Sequence, residues 1–558
     1  MRILLLLATA AVGLLGATTV ATAAETRERQ FVVVYESDAT LAQARADVAA
    51  AGGEIVEENA AIGVATVRTR ASDFRQRAAA QPALAGAAVN QAIGRVPAER
   101  RKRDDAVQND GAATVRAGGE RSRRAGAEPL GALQWDMAMI GATPEGSYAV
   151  EQGRKAVRVG IIDTGIDGAH PDIAPNFRAD LSRNFTVDDP IIDGDCASDP
   201  DGSCEDPADV DEDGHGTHIA STIGSPLNGV GVGGVAPKVS LVNLRAGQDS
   251  GYFFLGPTLD ALTYAGDRGI DVVNMSFYID PWLYNCAANP ADSPAEQREQ
   301  RLIVSATQRA LDYARERGVT LIAAEGNGST DLGNPTFDPT SPDYPPGAER
   351  ERTVDNSCLS MPTEAEGVIG ITSVGPTKRK AYYSDYGVEQ ADLAAPGGDS
   401  REFFGTEQYN APENRILAAY PKSVGLVADR DDDGTPDIDP ATGEPTTPLV
   451  VREGDAYYQW IQGTSMASPH AVGVAALIVA RYGVNDPAHR GLTMDPARVE
   501  RILRRTAADT ACPEPRTFDY PFDDEAGNPY TATCEGPADL NGFYGDGIVD
   551  ALAAVTRG

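Results

Sequence analysis

The chain has 558 residues and carries 82 Asp and Glu against 48 Lys and Arg, a formal net charge of −34 at pH 7. Such acidity aids solubility, argues against a nucleic-acid partner, and favours cationic peptides near any site. The six cysteines include no CxxC pair and no metal-ligand spacing, which suits an oxidising exterior.

Residues 1–24 read as a signal peptide: Arg2, an apolar core over 3–15, then Ala21-Thr22-Ala23-Ala24. No basic stop-transfer flank follows, and no other segment is apolar enough to span a bilayer. The expectation is a secreted protein with no membrane attachment after signal removal. Residues 25–97 alternate strands at 31–35, 53–57, 62–69 and 87–93 with helices at 41–51 and 72–80. That βαββαβ order predicts a small ferredoxin-like α+β module. Residues 98–129 form a basic linker with Arg100-Arg101-Lys102-Arg103 and Arg121-Ser122-Arg123-Arg124, exposed and open to processing.

Residues 130–558 alternate apolar strands (157–162, 239–244, 270–275, 319–323, 368–374) with helices that include 257–267 and 303–317. The pattern predicts an α/β domain, a mainly parallel sheet with helices on both faces. Surplus length falls in insertions near 188–210, 281–300, 329–360 and 399–455. Fifteen pairings are possible for six cysteines. Local spacing favours Cys196–Cys204 and Cys512–Cys534, leaving Cys286–Cys358.

Three blocks in this domain carry chemistry. Val159-Gly160-Ile161-Ile162-Asp163 ends a buried strand in an acid; Asp213-Gly214-His215-Gly216-Thr217-His218 supplies a base; Gly463-Thr464-Ser465-Met466 sets a serine at the start of an apolar helix. A serine hydroxyl is a weak nucleophile and needs a base within hydrogen-bond reach, and imidazole titrates near neutrality. A carboxylate fixes the imidazole tautomer and stabilises the imidazolium. Free N–H groups at a helix start favour developing negative charge. A fourth block, Val319 through Gly328, reads as a buried strand ending in the Gly326-Asn327-Gly328 turn. Asp163 and Asn327 thus fall at carboxyl ends of strands, where open α/β sheets place their sites.

These blocks resemble the subtilisin family of serine endopeptidases, whose order is Asp, His, Ser. The resemblance implies an acyl-enzyme peptidase with Asp163, His215 and Ser465 as the triad. It implies Asn327 as side-chain oxyanion donor beside the nucleophile's own N–H. Glu325 stands where the family usually has a small residue. The 25–97 module resembles the family's inhibitory propeptide, which implies a self-processing zymogen with its propeptide as inhibitor and folding aid. Residues 133–140 look like the entry segment of the mature enzyme, and 545–551 like its closing segment. Protein or peptide substrates are expected, on a monomer. Tyr278-Ile279 replace the family's usual Gly-Gly beside the substrate strand, and the insertion bearing Cys358 is expected to wall the opposite side.

One or two structural Ca2+ sites are expected, with no catalytic metal. Asp172 and Asn228 match positions that bind calcium in the family; the site's N-terminal side-chain ligand is not identified from the sequence. Asp429, Asp431 and Asp433 have the oxygen spacing of an EF-hand-type loop, with Pro440 at the twelfth position instead of Glu. Similar spacing at 209–214 runs straight into His215 and reads as an ordinary acidic loop.

Overall fold

The computed structural model describes residues 28–92, 128–196, 202–431, 433–523 and 529–558. The expected signal peptide and nearly all of the basic linker lie outside them. In the amino-terminal module, β1 (Arg29–Tyr35), α1 (Leu41–Ala51), β2 (Glu54–Asn59), β3 (Val64–Thr69), α2 (Phe74–Ala78) and β4 (Leu84–Ala92) follow the expected order. The sheet runs β2-β3-β1-β4, antiparallel throughout. Period-two alternation divides β1 cleanly. Phe31, Val33 and Tyr35 pack into the module's own core, while Val32 and Val34 face the large domain.

The large domain is built on β5 (Arg158–Ile162), β6 (Arg183–Asn184), β7 (Ser240–Arg245), β8 (Val272–Met275), β9 (Thr320–Ala324), β10 (Val368–Val374) and β11 (Leu393–Pro396). They form one seven-stranded sheet in the order β11-β10-β9-β8-β5-β7-β6, with every pairing parallel. The five expected strands are present within a residue or two at each end. The short β6 and β11 lacked an apolar run long enough to be read. One face is covered by α3 (His215–Gly224) and α6 (Thr464–Tyr482), the other by α4 (Leu255–Asp267) and α5 (Pro294–Glu316). Helix α6 is buried from Thr464 to Ala480, as an all-round apolar helix must be.

Helix α5 begins nine residues before the expected 303. Ser293 and Glu296 form a reciprocal capping box with Pro294 at the first helical position. That part of the 281–300 insertion is therefore the first turns of a scaffold helix. Helices α4 and α5 carry the module: β1, β3 and β4 contribute Val32, Val34, Val64 and Ala88 to a core shared with Leu255, Leu259, Leu302 and Ile303. The disulfides join Cys196–Cys204 and Cys512–Cys534, the two pairs that local spacing favours, and Cys286–Cys358, the pair it leaves.

Candidate active site

Strands β5, β8 and β9 are neighbours in the sheet, and their carboxyl ends deliver the polar groups side by side. Asp163 follows β5 directly and is fully buried. Its Oδ1 accepts from the Thr164 N–H at 2.8 Å and pairs with His215 Nδ1 at 2.7 Å. His215 opens α3, just after Gly214, which takes a left-handed φ of 102°. Asp211 joins the two segments: it accepts from the Thr164 hydroxyl, the Gly214 and Thr217 N–H groups and the Thr217 hydroxyl. The acidic run at 209–214 reads in the sequence as an ordinary acidic loop. Its central carboxylate instead fixes the entry of α3, and the signal available was its place two residues before Asp213-Gly214-His215.

Ser465 is the second residue of α6, after Gly463, whose φ of 155° favours glycine. Its hydroxyl donates to the Ser276 carbonyl at 3.4 Å, and the Ser276 hydroxyl donates to the Ser465 carbonyl at 3.2 Å. One turn further on, the Ser468 hydroxyl donates to Asn274 Oδ1 at 2.8 Å, which pins α6 to the end of β8. Asn327 lies beyond β9. Its Oδ1 accepts from both the N–H and the hydroxyl of Thr464, each at 3.0 Å. That fixes the amide orientation, so Nδ2 is the donor end, 3.7 Å from where a Cβ on Gly463 would stand. A serine at a helix start, with a side-chain amide donor beside it, is an arrangement suited to an oxyanion.

The other histidines of the motifs serve the scaffold. His470 bridges the Met466 carbonyl and Asp136 inside the core. Burial pushes the His170 imidazole down to about 4 and that of His218 to about 3, which leaves both neutral. His215 alone among the motif histidines pairs with Asp163.

Both calcium expectations correspond to assembled groups. Asp172 is fully buried; its Oδ2 accepts from the Val232 N–H and the Tyr458 hydroxyl, and its Oδ1 has no hydrogen-bond partner among the described residues. Desolvation pushes its carboxyl up to about 7, and the Glu128 charge nearby acts in the same direction. Glu128, absent from the sequence reading, accepts from the Gly229 N–H at 2.8 Å and is a second carboxylate beside this turn. An orphaned carboxylate oxygen with a second carboxylate and an amide close by fits a hard cation. Carboxylate oxygens of Asp429, Asp431 and Asp433 also lie within 4.8 Å of one another. There the loop closes partly on itself, because Asp429 accepts the Asp433 and Gly434 N–H groups.

Over residues 154–547 the sequence matches the model of the subtilase family. The chain belongs to the subtilase family. As a subtilase it is a serine endopeptidase by class, and its parallel sheet with helices on both faces is the fold of that class. Among curated relatives, subtilisin DY of Bacillus licheniformis is 26% identical over 360 residues, covering 64% of this chain and 86% of the relative. The nisin leader peptide-processing serine protease NisP of Lactococcus lactis subsp. lactis is 26% identical over 363 residues, covering 63% of this subtilase but only 45% of the relative. Among solved structures, the epidermin leader peptide processing serine protease (EpiP) from Staphylococcus aureus superposes with a TM-score of 0.59 at 19% identity, over 95% of this chain and 98% of that one. Fervidolysin from Fervidobacterium pennivorans gives 0.55 at 20%, over 96% and 62%.

Proposed function

We propose that this subtilase is an exported zymogen in which Ser465 cleaves peptide bonds through an acyl-enzyme. In this reading His215 Nε2 takes the proton from the Ser465 hydroxyl as Oγ attacks the scissile carbonyl carbon. Asp163 holds Nδ1–H and stabilises the imidazolium. The carbonyl oxygen, now negative, is received by Asn327 Nδ2 and the Ser465 N–H. The imidazolium then protonates the leaving amine, and water, activated by the same base, releases the acid and restores the hydroxyl. The observation that carries the reading is the 2.7 Å His215–Asp163 hydrogen bond, at the start of a helix packed beside the one that presents Ser465.

The amino-terminal module is read as the inhibitor and folding aid. Its docking is specific in a way that apolar burial alone is not. Glu299 on α5 accepts the Val89 N–H at 2.7 Å and pairs with Arg75 at 2.9 Å. The first turn of α4 donates the Gly256 N–H to Asn90, and Asn59 donates to Asp260 and Thr263. Processing is proposed between residues 98 and 133. Asp172, Asn228 and Glu128 are read as the ligands of a structural calcium, and Asp429, Asp431 and Asp433 as a second site; either would stabilise the fold without entering acyl transfer.

A fluorophosphonate probe tests the core of this reading. Ser465 is expected to be its single adduct, with all peptidase activity lost. His215→Ala is expected to be nearly as inactive as Ser465→Ala, because the pair acts as a unit. Purified Ser465→Ala is expected to accumulate uncut. A label on another serine would overturn the assignment, and identical mature N-termini from wild type and Ser465→Ala would overturn self-processing.

A further inference from the structure

The insertion at 399–455 brings the chain back to the catalytic base. Strands Ile416–Tyr420 and Ala456–Ile461 pair antiparallel and lie on α3. The Ala419 N–H donates to the Ser221 hydroxyl at 3.0 Å, and His218 Nε2 donates to the Ile416 and Gln459 carbonyls, 3.2 Å from each. The described residues between these strands form a small lobe, whose core holds Tyr420, Val424, Ile438, Val450 and Tyr457.

Arg430 reaches from this lobe to the start of α3. Its Nη2 donates to the Asp213 carbonyl at 2.6 Å and stands 3.4 Å from Asp213 Oδ2, and the two side chains are only 12% and 14% exposed. The arginine is held in turn by its own lobe. Its N–H donates to Asp437 Oδ1 at 2.9 Å, and Asp437 Oδ2 accepts the Tyr420 hydroxyl at 2.8 Å. Tyr420 is fully buried, and its ring is what a Cβ at Gly214 would meet first, at 3.2 Å. Arg430 and Tyr420 thus bear on Asp213 and Gly214, the two residues directly before His215.

A helix leaves its first N–H groups without partners of its own. In α3 the first three each have a side-chain acceptor. The Gly216 N–H goes to the Thr164 hydroxyl at 3.1 Å, and the Thr217 N–H to Asp211 Oδ2 at 2.9 Å. The His215 N–H goes to Asp213 Oδ1 at 3.0 Å. Asp213 therefore holds the backbone of the base with one oxygen and faces the lobe's guanidinium with the other, and charge strengthens such bonds. Asp163 fixes the imidazole at Nδ1; Asp213 fixes the backbone on which that ring is mounted. The pocket that opens beside Ser465, where Tyr278, Phe337 and Thr340 stand, is lined by neither Asp213 nor Arg430.

We propose that Arg430 is a positioning residue for His215, acting through Asp213. The proposal rests on His215 being the base that serves Ser465. Ser465 is carried by α6, so the reach from His215 to its hydroxyl depends on where the start of α3 sits, and the lobe sets that place through one guanidinium. The insertion is thereby part of the catalytic geometry.

The test uses the processed enzyme, its active sites titrated with a fluorophosphonate, on a peptide anilide that the wild type cleaves. Arg430→Met is expected to lower kcat per titrated site about tenfold, with KM changed by less than about twofold. Arg430→Lys keeps a charged donor and is expected to restore most of kcat. Arg452→Met is the control for a lobe that is merely loosened, because Arg452 pairs with Glu444 within the lobe; its kcat is expected to match the wild type. In a cycle of Asp213→Asn, Arg430→Met and the double variant, the two losses in kcat are expected not to add. A wild-type kcat in Arg430→Met, a loss carried by KM, an equal loss in Arg452→Met, no recovery in Arg430→Lys, or additive losses each overturns the positioning role. If Arg430→Met does not fold, Asp213→Asn decides, since it keeps an acceptor for the His215 N–H while weakening the pair; a wild-type kcat there overturns the proposal equally. No label on Ser465 in the wild type overturns the underlying reading instead.

Discussion

Gly216→Ala probes how tightly α3 holds the base. A Cβ at Gly216 would stand 2.1 Å from the Gly165 carbonyl oxygen and 3.0 Å from Asp163 Cβ. The nearest of these atoms is backbone, so no side-chain rotation relieves the contact. Reaching an ordinary C···O approach of about 3.3 Å requires about 1 Å of helix displacement. His215 is the adjacent residue, and the same shift stretches its 2.7 Å bond to Asp163 toward about 3.7 Å, beyond hydrogen-bond range. Overpacking of this kind costs about 1–3 kcal/mol, offset by about 1 kcal/mol from replacing a helical glycine with alanine. Stability should therefore fall by about 0–2 kcal/mol, while a misplacement of that size lowers kcat about 100-fold. Gly224→Ala on the same helix is the control, because its Cβ would meet only the Leu241 and Val239 side chains, at 3.0 and 3.2 Å. The assay is the fluorophosphonate labelling rate of each variant beside its melting temperature. Labelling of Gly216→Ala at the wild-type rate, or equal impairment of both variants, would refute the reasoning.

Chelation is expected to lower the melting temperature and speed autolysis without stopping turnover, since an ion bound only by the folded state contributes roughly 2.7 kcal/mol at a hundredfold excess over Kd. Glu128→Ala should abolish part of that shift; an equal shift in the variant removes Glu128 from the site. Lys380 is fully buried, and desolvation pushes its ammonium down to about 7 from 10.5. Between those values the unfolded chain binds more protons than the folded one, so this residue makes stability rise with pH from 7 to about 10. Urea midpoints of Ser465→Ala across that range should show the slope, and Lys380→Met should flatten it; an unchanged slope would count against the assignment. Cys286 and Cys358 close a 72-residue span that carries Phe337 and Thr340 to the pocket. Replacing both by Ser is expected to raise KM more than it lowers kcat, and a pure loss of kcat would argue against a wall role.

The apolar runs at 157–162 and 368–374 were legible because a strand covered on both faces must be apolar throughout. The residues at carboxyl ends followed, since Asp163 stands where the first of those runs stops and Asn327 lies just beyond the run at 319–323. Glu128 was not legible, because it acts across space on the turn at Gly229 and interrupts no local pattern. Asp211 left one signal, its place just before Asp213-Gly214-His215, while its bond to Thr164 forms only in the fold. The start of α5 was missed for a different reason: Ser293, Pro294 and Glu296 were present, but the polar first turns carry no apolar period. Glu325 was visible as an anomaly, and only the glycine at 370, on the neighbouring strand, shows how the fold makes room for it.

The amino-terminal module docks on α4 and α5, and these are the connections that carry the chain from β7 to β8 and from β8 to β9. Parallel strands cannot pair through a tight hairpin; each must await a long crossover, and loop closure has to occur before any contact offsets it. The module therefore grips two of those crossover segments, and it does so with a sheet whose four strands all lie within residues 29–92. If processing removes the module as proposed, a template is lost with it, and the mature domain would then depend on a high unfolding barrier rather than on ready refolding. Refolding yields of the denatured Ser465→Ala mature chain, with and without the module supplied in trans, measure that asymmetry, and equal yields would show that the crossovers form unaided.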